Sequence, residues 1–421
     1  MSLVPELSNQ YANADFDAFI ASLRAAVEAE RRTLTDPLVK TWCGQRWRDL
    51  FLTEAAKDDK AVETASAVVG LMQGIPTLNL GKDKRSVRQR LAERFLAENI
   101  LDWKLELPPP PSLNQPDPTI VFCPGFIHRA IPTPGLAELA DIERDYGLRV
   151  LRADAHGFRG CSDNVPDLLA TIEHGTGEDD AGAVITDPVA PRDVVLIGYS
   201  KGSPDALTLL AQEPNVASRV RALVCWAGAV GGSPTADDVY ETIKDINLSA
   251  VVNNDVVLTV LKALLPIAQL DGLLERTDEW DLKGAIRDLS TTARSAFLAD
   301  HAAAIDALDV PIFHVIGRTS PLEVPYFQLQ GTLEITRRVG ANDMQVAVEH
   351  AQMRTPMATT LAVCRAHHWD LALGPFPATH RLGSPNLNHP FPRRAALTAT
   401  VLLLAELGLL ANRPDARPNG A

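Results

Sequence analysis

Six short apolar runs recur through the chain after its first quarter: Thr119–Cys123, Leu148–Ala153, Val194–Ile197, Val220–Ala227, Val310–Ile316 and Thr359–Ala366. They are rich in Val, Ile and Leu and show little polar alternation. That is the pattern of strands buried on both faces of a mostly parallel sheet. Helical spacing fills the segments between them, so the order predicts an α/β fold with helices on both faces of the sheet. Ahead of the runs, Phe16, Phe19, Ile20 and Leu23, and later Val87, Leu91 and Phe95, fall on helical faces. Residues 1–107 therefore read as a helical N-terminal extension that packs on the main domain or on a second subunit, which would make a homodimer through these helices. Four consecutive prolines, Pro108–Pro111, open a stretch to Pro118 that predicts an extended linker over 108–118. The main domain is then 119–411, and the polar tail 412–421 is expected to fray.

Two connections are longer than a crossover needs. Residues 164–191 read as an acidic, loop-like insert. Residues 234–308 read as a helical insert, with the apolar stretch Val256–Ile267 as the underside of a lid over the strand ends. The apolar segment from Arg393 to Leu410 predicts a helix packed against the sheet.

Composition narrows the function. The chain has 421 residues, 46% of them hydrophobic, and a net charge of −13 from 53 acidic and 40 basic side chains. That balance argues against nucleic acid, which needs a basic footprint. The five cysteines are scattered without a paired spacing, so neither a disulfide framework nor a zinc site is expected. No signal pattern opens the chain and no apolar run is long enough to span a membrane, so a cytoplasmic protein without a membrane span is expected.

The chemistry centres on Gly198-Tyr199-Ser200-Lys201-Gly202, directly after the third run and before a helical segment. Strand, sharp turn and helix in that order present the serine hydroxyl above the strand end on strained backbone. A serine needs a base, and the base needs a partner. Of the ten histidines, His367 and His368 follow the sixth run, and His389 precedes the last helix. His128 and His156 sit near the mouth of the sheet, and His314 lies inside a strand. Two N–H donors must also face the developing oxyanion. The residue after the nucleophile, Lys201, and Phe126, in the loop after the first run, are placed to supply them. The Lys201 side chain itself is expected in solvent.

These motifs resemble those of the bacterial lipases and esterases of the α/β-hydrolase superfamily. Gly198–Gly202 is similar to their nucleophile elbow. Gly232-Ser233-Pro234-Thr235-Ala236-Asp237 resembles a segment that follows their next strand, and Asn342-Asp343 with His368-Trp369-Asp370 resembles their acid and base segments. The resemblance covers residues 119–410 and implies Ser200 as nucleophile, Asp343 as acid and His368 as base. Met344 stands where those lipases usually have glycine. Glu323, after the fifth run, occupies the acid position of many other α/β hydrolases and is the alternative acid; His389 is the alternative base. Asp370 matches a position some lipases use for calcium. One carboxylate does not make a calcium site, so no metal and no cofactor is expected.

The resulting expectation is a serine carboxylic-ester hydrolase acting through an acyl-enzyme on a small ester with an apolar acyl group. Ile127, His128, Tyr199, Trp226 and Trp369 are the candidate substrate contacts. An acyltransferase or peptidase using the same three residues, and a non-catalytic interaction protein on the same fold, are the alternatives.

Overall fold

The computed structural model describes residues 4–66, 84–110, 112–113, 118–128, 135–179, 182–245, 279–374 and 391–411. The apolar stretch 256–267 expected to form the underside of a lid, the alternative base His389 and the tail 412–421 lie outside the described residues.

Each of the six apolar runs coincides with or overlaps a strand. They are β1 Thr119–Cys123, β2 Val150–Arg152, β3 Val194–Tyr199, β4 Val220–Trp226, β5 Ile312–Arg318 and β6 Ala358–Arg365. All pairings are parallel, in the order β2-β1-β3-β4-β5-β6. Alternate side chains enter two cores. Ile120, Phe122, Val195, Ile197 and Val224 join one, and Val121, Leu196, Leu223 and Cys225 the other. Double burial is why these strands read as mostly apolar runs. The chain leaves β1 for β2 on one side and then returns to place β3 on the other. The crevice at the carboxyl ends of β1 and β3 is therefore the switch point where such sheets hold ligands.

The N-terminal helices belong to the first core. Helix Pro37–Ala55 starts on Asp36, whose side chain accepts the N–H groups of Leu38 and Val39, with proline in its first turn. Its Trp42, Trp47 and Phe51 are fully buried. Trp47 Nε1 donates to Thr400 Oγ1 at 2.8 Å, and Arg46 pairs with Glu406 at 2.8 Å, both on the apolar helix Arg393–Glu406. Further on, Ala97 N–H donates to the Val363 carbonyl at 2.9 Å, stitching the block to β6. Phe19, Leu23, Leu91 and Phe95 of the helical faces are thus buried within this chain, while Val87 stays exposed. The proline stretch is also anchored, because the Pro108 carbonyl accepts from Arg46 at 2.8 Å.

The second core is covered by helices Gly202–Gln212, Thr291–Asp306 and Val165–His174. The last corrects the expectation of a loop-like insert over 164–191. Val165, Leu168 and Ile172 share a helical face, and all three are buried. Acidic composition masked that period. Among the described residues, no helix is long and apolar enough to cross a membrane.

Candidate active site

Ser200 follows β3 directly and takes φ +52°, a left-handed conformation that costs on the order of 1–3 kcal/mol for a residue with a side chain. Its neighbours explain how the turn fits. A Cβ on Gly202 would lie 2.0 Å from the Cys123 carbonyl oxygen, and one on Gly198 would lie 2.7 Å from the Gly202 carbonyl oxygen. Only glycine allows strand and helix to approach this closely. Ser200 N–H donates to the Trp226 carbonyl at 3.1 Å, and the Ser200 carbonyl accepts Ala229 N–H at 3.1 Å, so the turn is held from β4.

His368 follows β6 and reaches Ser200. Its Nε2 lies 2.9 Å from Ser200 Oγ, and its Nδ1 lies 2.7 Å from Asp343 Oδ2. A carboxylate only accepts, so Nδ1 carries the proton and Nε2 presents its lone pair to the serine hydroxyl. Asp343 is fixed in turn. Its Oδ1 accepts the N–H groups of Gln345 at 3.0 Å and Val346 at 2.7 Å, and its carbonyl accepts His368 N–H at 2.7 Å. Met344, at the position where glycine is usual in the resembling lipases, takes φ +90°. Asn342 Oδ1 accepts Met344 N–H at 2.9 Å and the Met344 side chain is buried, which holds the residue in this conformation.

The competing residues go elsewhere. Glu323 faces Arg94 at 3.3 Å and Arg365 at 3.8 Å, away from the imidazole. His367 Nε2 lies 3.2 Å from Asp370 Oδ2, while its Nδ1 accepts Asp370 N–H. Burial, reinforced by His368, pushes the His367 imidazole down to about 3. His314 is a core residue whose Nε2 accepts Met353 N–H at 3.2 Å.

Around Ser200 lies a cavity of about 110 Å³. Phe126, Ile127, Tyr199, Trp369 and His368 are among the residues that line it. Two of the expected contacts are absent from its lining. Trp226 is fully buried and donates from Nε1 to the Leu371 carbonyl at 2.8 Å, so it is a core residue. His128 turns toward Glu178, at 3.7 Å. Conversely, Val239, Ile286, Leu289 and Val346 line the cavity without having been singled out. Nothing local marks them, because they come from loops and helices whose position over the sheet is a tertiary matter. Tyr199 has a second role. Its buried hydroxyl donates to the His368 carbonyl at 3.1 Å, and burial holds the phenol well above its usual range, so it stays neutral.

The backbone N–H groups of Lys201 and Phe126 donate to no protein acceptor among the described residues. Gly125 brings the Phe126 loop against the serine, since a Cβ there would lie 3.1 Å from Ser200 Cβ. The Lys201 side chain corrects the sequence reading. It is fully buried rather than solvated, with Nζ 2.8 Å from Asp205 Oδ1 and 2.9 Å from Oδ2.

No protein-family model and no curated protein matches the sequence. Among solved structures, the chain is similar to a metagenomic carboxyl esterase, at 19% identity and a TM-score of 0.57, over 86% of this chain and 92% of that one. Bacillus licheniformis lipase BlEst2 in its mature form aligns at 19% identity and a TM-score of 0.41, over 62% of this chain and 89% of that one. The likeness to the metagenomic esterase and the sheet order together show the α/β-hydrolase fold.

Proposed function

We propose that this chain is a serine carboxylic-ester hydrolase working through an acyl-enzyme. One observation carries the reading: a strained Ser200 hydroxyl 2.9 Å from an imidazole whose other nitrogen rests 2.7 Å from a buried carboxylate, at the edge of an apolar cavity. A fold shared with a carboxyl esterase supports it.

In this reading Ser200 Oγ attacks the ester carbonyl carbon while its proton passes to His368 Nε2. Asp343 stabilises the imidazolium and keeps Nδ1 protonated. The N–H groups of Lys201 and Phe126 receive the charge that develops on the carbonyl oxygen. Each such donor contributes roughly 10²–10³ to kcat in sites of this kind. His368 then returns the proton to the leaving alkoxide, which departs as alcohol. A water molecule, deprotonated by the same nitrogen, attacks the acyl-enzyme and frees the acid and Ser200. Ile127, Val239, Ile286, Leu289, Val346 and Trp369 make the wall an apolar acyl group would meet.

The test is hydrolysis of p-nitrophenyl esters of increasing acyl length by the wild type and Ser200→Ala. The variant is expected to lose turnover by about 10⁴-fold or more, to resist a fluorophosphonate that labels the wild type at Ser200, and to keep its circular dichroism. Turnover retained in Ser200→Ala would refute the assignment.

A further inference from the structure

A buried polar chain adjoins the site, and its Lys201, Asp205 and Asn164 do not line the cavity. It begins at Lys201, whose backbone N–H is one of the oxyanion donors proposed above and whose side chain grips Asp205 on the following helix. Asp205 Oδ2 accepts from Asn164 Nδ2 at 3.0 Å. Asn164, fully buried, spends its whole amide on this junction. Its Nδ2 also donates to the His156 carbonyl at 3.0 Å, and its Oδ1 accepts His156 N–H at 3.0 Å and Arg159 Nε at 3.2 Å.

The turn that Asn164 holds leans on the other oxyanion loop. A Cβ on Gly157 would lie 2.1 Å from the Phe126 carbonyl oxygen, so the two backbones are in contact with no side chain between them. The buried Phe158 ring meets Phe126 edge-on, with centroids 5.0 Å apart. The path Lys201–Asp205–Asn164–His156/Gly157–Phe126 thus joins two N–H donors that come from different strands.

We infer that the side chains of Lys201, Asp205 and Asn164 are positioning residues that hold the two oxyanion donors at a fixed separation. The inference rests on the serine-hydrolase reading above. Stability is a poor explanation for the buried pair. Removing two charges from water costs several kcal/mol each, and apolar replacements of similar volume are often neutral or stabilising. What the pair supplies is direction. Bidentate contact and a fully bonded amide leave Lys201 and the His156 turn little freedom relative to each other. Oxyanion stabilisation depends on donors already in place before charge develops.

The experiment compares wild type with Lys201→Met/Asp205→Leu, and separately with Asn164→Ala. Ser200→Ala and fluorophosphonate labelling of the wild type are run first, so that failure of the hydrolase reading is seen independently. For each folded variant, kcat and KM are measured on a p-nitrophenyl ester, together with the inhibition constant of a trifluoromethyl ketone, whose adduct with the serine carries an oxyanion. The expected result is kcat lower by about 10- to 100-fold, below the loss of a whole donor, with KM within about twofold and the ketone weakened in parallel with kcat. A purely structural role would lower the melting temperature and the active fraction without weakening the ketone. Wild-type kcat in either folded variant, or a rise in KM with kcat unchanged, overturns the inference. If the double variant does not fold, Asn164→Ala, which leaves the ion pair intact, decides alone. If that also fails, Asp205→Asn, which can still bond Asn164 but sets an NH₂ group against Lys201 Nζ and so breaks the paired contact, is read by the same criteria.

Discussion

Asp343→Asn is the sharpest probe of the site, because the geometry dictates where the new amide must point. Asp343 Oδ1 accepts two backbone N–H groups, from Gln345 at 3.0 Å and Val346 at 2.7 Å. An NH₂ group cannot take that place, so the amide oxygen stays there and the NH₂ turns to His368. The imidazole nitrogen now 2.7 Å away must become an acceptor. Nδ1 gives up its proton, Nε2 gains one, and the N–H on Nε2 points at the Ser200 hydroxyl instead of receiving from it. An imidazole held in the wrong tautomer costs about 10⁴-fold in kcat, or about 5.4 kcal/mol of transition-state stabilisation. The fold loses far less. Every hydrogen bond keeps a partner, so the unfolding free energy should change by no more than about 1 kcal/mol. The assay is kcat for a p-nitrophenyl ester, with urea unfolding of the same samples. Glu323→Gln serves as the control. Its ion pair with Arg94 lies away from the imidazole, and kcat should stay within about twofold. An Asp343→Asn enzyme keeping more than about a tenth of wild-type kcat would refute the reasoning, as would an equal loss in Glu323→Gln.

Two further outcomes test other parts of the structure. Burial pushes the His314 imidazole down to about 3, so the folded chain keeps it neutral where the unfolded chain protonates it. Its folded value lies below its unfolded value of about 6.5, so its contribution is present above that pH and is lost as pH falls toward the folded value. From pH 6.5 to 4.5 this removes about 2 kcal/mol, and His314→Gln should lose less stability than the wild type over that interval by this amount; parallel losses by urea unfolding would count against it. Deleting residues 1–107 strips Trp42, Trp47 and Phe51 from the core. Large aromatic truncations cost about 3–5 kcal/mol each against a total of about 5–15. The truncated chain should be insoluble or unfolded, and a soluble, active one would show that the helices are dispensable.

Much of the architecture could be read directly from residue order. A strand buried on both faces is apolar at most positions, so all six strands announced themselves as apolar runs despite Arg152, Arg221 and His314 within them. Glycine on each side of Ser200 is dictated by backbone contact too close for a Cβ, which is why the turn is visible as a motif. The choice between Asp343 and Glu323 was of another kind. Both follow late strands, and only the fold aims one at His368 and the other at Arg94. Trp226 and Trp369 are alike as strand-end aromatics, yet one is sealed between layers and the other lines the cavity.

Lys201 marks the limit most clearly. A lysine after the nucleophile reads as a surface charge, because nothing local shows that Asp205 and Asn164 will close over it. Local sequence determined the strands, the serine turn and the helical periods, since those follow from backbone sterics and burial repeated every few residues. Only the tertiary structure decided which distant side chains share a hydrogen bond, because that depends on how loops of unrelated sequence converge at one end of the sheet.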